Sequence, residues 1–139
     1  MVDLEEIIKH SIKLKLLYVE DNKDTREMTA MMLEDFFGSI ILSVDGEDGL
    51  KKFKENDIDI VLTDINMPKL NGIELCRKIR EVDKDIPLLV LSAHNEKNYF
   101  EDSKEIGVDG YLLKPIDIEQ LSELLYKVVQ KITKQRMQS

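Results

Sequence analysis

The sequence predicts an α/β fold, a doubly wound sheet of five parallel strands in order 2-1-3-4-5 with helices on both faces. Three observations lead there. Short apolar runs recur along the chain, and each is followed by a segment of helical periodicity, the pattern of βα repeats. Within Asp57–Gly72 the run Ile58 to Leu62 ends at Asp64 and passes at once into turn residues, Pro68 and Asn71-Gly72. A continuous β-branched run of this kind reads as a strand buried on both faces of a parallel sheet. Finally, polar reactive residues stand where the runs end: Glu20-Asp21, Asp64, Ser92 and Lys114. In a parallel sheet those ends share one edge, and order 2-1-3-4-5 centres the strand of Asp64 and sends the chemically plain second strand outside.

The bulk properties narrow the function classes. At 139 residues the chain suits one domain with a single core. No apolar run reaches the length of a membrane span, and the N-terminus lacks the apolar core of a signal peptide. A net charge of −8 argues against a nucleic-acid surface. Cys76 is the only cysteine, which excludes an internal disulfide and a Cys-rich zinc site, and a reducing cytoplasm is the expected location. Residues 1–13 read as an N-terminal extension, 14–132 as the domain, and 133–139 as a tail or the start of a linker.

The elements follow in order. Val2, Leu4, Ile7, Ile8 and Ile12 alternate with charges, which fits a short amphipathic helix or a loose arm; His10 reads as a surface residue there. Leu14 to Val19 is the first strand. A helix follows, capped by Asn22 or Asp24 and stopped by Gly38, with Met28, Met31, Met32, Leu33 and Phe36 as its apolar positions and the methionines as core filler. Ser39 to Val44 is the second strand, Asp45-Gly46 a turn, and Glu47 to Lys54 a helix with Leu50 and Phe53 inward.

The strand of Asp64 comes next, then a helix from Ile73 to Val82 with Leu75, Cys76, Ile79 and Val82 inward. Pro87 to Ser92 is the fourth strand, its proline at a position a strand tolerates. The helix from Glu96 to Ile106 is rich in charge and poor in apolar positions. Tyr111 to Leu113 is the fifth strand, closed by Lys114-Pro115. Asp117 caps a last helix carrying Ile118, Leu121, Leu124, Leu125, Val128, Val129 and Ile132 at 3.6-residue spacing.

The clustered residues have a chemistry of their own. Three carboxylates at one edge repel unless a cation joins them. A hard dication such as Mg²⁺ accepts one or two carboxylates and a phosphate oxygen while keeping waters. Lys114 adds a mobile positive charge and Ser92 a donor. Nucleophile, cation, counter-charge and donor are the parts of a phosphoryl-transfer site, in which a carboxylate can form an acyl phosphate.

Four segments carry a resemblance to a family: Leu16-Leu17-Tyr18-Val19-Glu20-Asp21-Asn22, Leu62-Thr63-Asp64-Ile65-Asn66-Met67-Pro68, Leu91-Ser92-Ala93 and Tyr111-Leu112-Leu113-Lys114-Pro115. In order and separation the chain resembles the flavodoxin-like receiver domains of two-component response regulators. The resemblance implies that Asp64 accepts a phosphoryl group from a histidine kinase or phosphotransfer protein. It implies Mg²⁺ (or Mn²⁺) held by Asp21, Asp64 and the backbone carbonyl of Asn66, with Glu20 assisting through water. Lys114 would contact the phosphoryl group, Ser92 would move to hydrogen-bond it, and Tyr111 would turn inward. The Lys114–Pro115 bond would be cis. Asn66 and His94 would flank the path of water and tune the phosphoryl lifetime. The partners implied are that phosphodonor and a downstream protein or fused output domain.

Departures from the family's commonest residues are small. Glu20 stands for Asp, Ser92 for Thr, and Ile116 where an aromatic is common; no reactive group is lost. A haloacid-dehalogenase-type phosphatase also forms an aspartyl phosphate. It needs an acid–base Asp where this chain has Asn66, which cannot shuttle a proton. A nucleotide module needs a Gly-rich loop after the first strand, where Glu20-Asp21 stand instead.

Overall fold

The computed structural model describes residues 3–93 and 98–138. Its strands are β1 (Lys15–Val19), β2 (Ser39–Ser43), β3 (Ile60–Asp64), β4 (Leu88–Ser92) and β5 (Gly110–Leu113). Its helices are α1 (Leu4–Ser11), α2 (Lys23–Leu33), α3 (Gly46–Glu55), α4 (Gly72–Val82), α5 (Asn98–Ile106) and α6 (Ile118–Gln138). The sheet order is β2-β1-β3-β4-β5, with every pairing parallel. The N-terminal segment, for which helix and arm both fitted, is helical, and the last helix continues through most of residues 133–139. His94 and the start of the helix expected from Glu96 lie outside the described residues.

The sheet divides the apolar residues by their alternation along each strand. Leu16, Tyr18 and Leu62 face Leu33 and Phe36 of the α2 segment and Leu121 and Leu125 of α6. Leu17, Val19 and Val61 face Phe53 of α3 and Leu75, Cys76 and Ile79 of α4. β3 and β4 are buried along their whole length, as centrally placed parallel strands must be. Burial raises the Cys76 thiol to about 12, so it serves as a small core residue.

Two features of the helices differ from the apolar spacing. Met28 and Met31 are 73% and 70% exposed, so they are not core filler. The inward face of α2 runs instead through Ala30 and Leu33 to Phe36 and Phe37. Two 3.6-residue frames overlap in this helix, and the one that buries two phenyl rings removes more apolar area from water. For the same reason α2 ends at Leu33, earlier than expected, and the following turn drives both rings inward. Val82 is 60% exposed and Ile118 is 40% exposed because each lies at a helix terminus beyond the sheet's cover.

The strand-start edge is fastened by two aspartates that repeat one arrangement. Asp59 donates its N–H to the Lys15 carbonyl (2.9 Å) and accepts the Lys15 N–H on its side chain (2.8 Å). Asp109 treats Leu88 the same way, at 2.8 and 2.9 Å. Each also holds a cation of α6: Arg136 to Asp59 and Lys131 to Asp109, both at 2.6 Å. Strand register and the placement of α6 are thereby tied together.

At the opposite edge the loop after β3 is held by a close approach. A Cβ on Gly72 would lie 2.0 Å from the Asp64 carbonyl oxygen, so α4 can start there only on glycine. The neighbouring Asn71 caps α4 by accepting the Glu74 N–H at 2.9 Å. Gly72→Ala is expected to destabilise the protein by about 2–3 kcal/mol, measured by urea unfolding. Gly107→Ala serves as comparison: its φ of +82° is strained for alanine but a Cβ there meets nothing, and about 1 kcal/mol is expected. A loss at Gly72 no larger than at Gly107 would refute the close approach.

Candidate functional site

Four strand ends meet at the edge opposite the aspartate fasteners. β1 ends at Val19 and delivers Glu20 and Asp21; β3 ends on Asp64 itself; β4 ends on Ser92; β5 delivers Lys114. Asp64 is in register with Leu91, the neighbour of Ser92, and Ser92 with Leu113, the neighbour of Lys114. The second strand ends at Ser43, and Asp45 there caps α3 by accepting the Asp48 N–H at 2.8 Å. Asp45-Gly46 is therefore a helix start as well as a turn.

Lys114 is the centre of the cluster. Its Nζ lies 3.0 Å from Asp64 Oδ1 and 3.2 Å from Glu20 Oε1. Glu20 is 1% and Asp64 5% exposed, whereas Asp21 faces solvent. Ligand oxygens of Glu20, Asp21 and Asp64 all lie within 4.8 Å of one another. Burial, then the charge of Asp64, raises the pKa of Glu20 against the help of the Asn22 N–H and Lys114. Burial opposes the charge on Lys114, but the hydrogen bond and charge of Asp64, with those of Glu20, outweigh it and raise its pKa.

The outer parts of the cluster are also fixed. Glu20 Oε2 accepts the Asn22 N–H at 3.2 Å, so both of its oxygens are engaged. Asn22 in turn caps α2 by accepting the Thr25 N–H at 2.9 Å. Arg26 Nη1 donates to the Glu20 carbonyl at 2.8 Å, a contact with no signature in the sequence beyond its place in the first helical turns. Ser92 is buried and donates to the Ala93 carbonyl at 3.0 Å; its own carbonyl accepts the Lys114 N–H at 2.8 Å. Tyr111 is half-buried and in register with Val90, two residues before Ser92. Asn66 is exposed in the loop after Asp64, and the Lys114–Pro115 peptide is cis.

That loop is braced from below. Lys69 adopts φ +70°, and its Nζ lies 3.7 Å from Asp45 Oδ2. A Cβ on Gly46 would lie 2.0 Å from the Leu70 carbonyl oxygen. The two Asx-Gly pairs, Asp45-Gly46 and Asn71-Gly72, thus position the loop that follows Asp64. Their sequence signal is readable as turn chemistry, but the backbone packing they permit is not.

A family model described as the response regulator receiver domain matches residues 16–126. The protein "Response regulator ArlR" of Staphylococcus saprophyticus is 33% identical over 107 residues, covering 77% of this chain and 48% of that protein. "Transcriptional regulatory protein DegU" of Brevibacillus brevis is 33% identical over 120 residues, 85% of this chain and 51% of that protein. The chain thus spans about half the length of these curated relatives. Among solved structures, a response regulator receiver domain protein of Clostridium thermocellum superposes with a TM-score of 0.81 at 25% identity, covering 91% of this chain and 100% of that one. The N-terminal domain of an uncharacterized protein from Wolinella succinogenes gives a TM-score of 0.79 at 36% identity, covering 88% and 99%. Fold, strand-edge residues and relatives agree: the chain belongs to the response regulator receiver domain family.

Proposed function

We propose that this chain is a phosphoacceptor switch in which Asp64 takes a phosphoryl group from the phosphohistidine of a histidine kinase or phosphotransfer protein. The observation that carries the reading is the single ammonium of Lys114 between two buried carboxylates, with a third carboxylate alongside. An oxygen of Asp64 attacks phosphorus, the P–N bond breaks, and the imidazole leaves and takes up a proton. The product is an acyl phosphate.

Charge supports a metal in this step. Glu20, Asp21 and Asp64 bring three carboxylates together beside Lys114. Like charges 4–5 Å apart repel by about 4 kcal/mol at an effective dielectric near 20. A divalent cation would offset this repulsion, and an all-oxygen donor set suits Mg²⁺. Asp21, Asp64 and the Asn66 carbonyl would hold it, with Glu20 through water. When bound it would screen the approach of an anionic phosphoryl group. Lys114 orients that group and offsets its charge. Ser92 exchanges its bond to the Ala93 carbonyl for one to a phosphoryl oxygen, drawing the segment after β4 with it, and Tyr111 follows inward. Asn66 and His94 govern access of water and so the phosphoryl lifetime.

The output belongs to a downstream protein or a fused output domain, in the cytoplasm and without direct contact between this domain and nucleic acid. Among the described residues no helix is long and apolar enough to cross a membrane. A phosphatase reading draws no support from the comparisons, and Asn66 stands where its acid–base residue would be.

Incubation with acetyl phosphate and Mg²⁺ should give one phosphoryl adduct by intact mass, absent without the metal and absent in Asp64→Asn. An adduct that persists in Asp64→Asn would move the acceptor elsewhere. Lys114→Ala should slow adduct formation on the order of 100-fold; an unchanged rate would remove Lys114 from the reacting geometry. Amide exchange with and without beryllofluoride should differ between Ser92 and Lys114, and identical protection across that segment would refute the proposed switch.

A further inference from the structure

Glu20 is where the chain leaves β1, and every polar group it has is held. Its N–H donates to the Ser43 carbonyl at 3.1 Å, one step past the paired residues of β1 and β2. Its carboxylate oxygens accept from Lys114 and from the Asn22 N–H, each at 3.2 Å. Its carbonyl sits where the ladder has run out, because β2 has ended at Ser43 and Asp45 has turned to cap α3. The donor that reaches this carbonyl is a side chain, Arg26 Nη1 at 2.8 Å.

Arg26 fastens the far side of the same turn as well. Its backbone N–H donates to the Asn22 carbonyl at 2.8 Å. One residue thus holds the carbonyl of the residue before Asp21 and that of the residue after it. Glu20 and Asp64 are buried and gripped by Lys114, but Asp21 is exposed, so burial does not set its place. Its carboxylate nonetheless comes within 4.8 Å of ligand oxygens of both. The start of α2 does not require Arg26, since Asn22 already caps it by accepting the Thr25 N–H at 2.9 Å. Arg80 and Arg136 each pair with an aspartate, whereas half-buried Arg26 gives its bond to a neutral carbonyl of the site.

We propose that Arg26 is a positioning residue of the cation site. Its guanidinium holds the Glu20–Asp21 peptide so that the Asp21 carboxylate stands ready for a divalent ion shared with Asp64. The proposal deepens the phosphoacceptor reading and rests on it. Arg26 acts through Asp21 and touches neither the ion nor the phosphoryl group, so metal affinity depends on it and the reacting step does not. Its positive charge alone would act in the opposite sense, repelling a second cation. The direction of the effect therefore separates positioning from charge.

The test is calorimetric titration of the metal-free full chain with Mg²⁺, joined to the rate of adduct formation with acetyl phosphate as Mg²⁺ is varied. Arg26→Met keeps an unbranched helix-forming side chain and loses the donor. It should raise the Mg²⁺ dissociation constant about tenfold. Arg26→Lys, which keeps a donor and the charge, should recover most of that loss. In Arg26→Met the half-saturating Mg²⁺ concentration should rise by the same factor, with the rate at saturating Mg²⁺ within about twofold of wild type. General destabilisation would instead lower the saturating rate and the metal-free melting temperature. Arg26→Met binding Mg²⁺ as tightly as wild type, or more tightly, overturns the proposal. So does Arg26→Lys binding no better than Arg26→Met, and so does a fall in saturating rate at an unchanged dissociation constant, which would put Arg26 on the phosphoryl group. A wild type that binds no Mg²⁺ overturns the cation site itself, and this proposal with it, so the wild-type titration tells the two failures apart.

Discussion

One ammonium group between two buried carboxylates is the contact on which the site depends. Lys114 reaches Asp64 and Glu20 at 3.0 and 3.2 Å, from a strand separated from theirs by long stretches of chain. Taking charges out of water is costly unless they are paired, and here one ammonium is shared between two carboxylates. Asp21 adds a third carboxylate at the rim. Three carboxylates drawn together around Lys114 are an arrangement that a further cation can relieve.

This contact is possible because of the sheet. Parallel strands in order β2-β1-β3-β4-β5 put the ends of β1, β3, β4 and β5 side by side. The fasteners at the other edge, Asp59 on Lys15 and Asp109 on Leu88, set the register that brings those ends level. Gly72 then lets α4 start directly against the Asp64 carbonyl, and Gly46 lets Leu70 do the same over α3. Functional geometry at one edge therefore rests on backbone packing at both.

Much of this was readable from the residues, for identifiable reasons. Central parallel strands are apolar along their whole length, so β3 and β4 declare themselves, and the reactive residues at the strand ends stand out by contrast. Caps are local, so Asn22 and Asp117 mark helix starts, the latter accepting the Glu119 N–H at 2.9 Å. What escaped depends on long-range packing. Met28 and Met31 obey a helical period as well as Ala30 and Leu33 do, and only the burial of Phe36 and Phe37 selects between the frames. The aspartate fasteners look like any loop acids. That Lys114 would span both Glu20 and Asp64 follows from side-chain reach, which periodicity cannot supply.

The most direct measurement is the melting temperature of the unmodified chain as Mg²⁺ is added. If the three carboxylates form the cation site, the ion stabilises the folded state, by about 2.7 kcal/mol at a hundredfold excess over its dissociation constant. The rise should be absent in Asp21→Asn, which removes a proposed ligand at an exposed position. A melting temperature indifferent to Mg²⁺, or an equal rise in Asp21→Asn, would contradict the charge argument on which the phosphoryl-transfer reading stands.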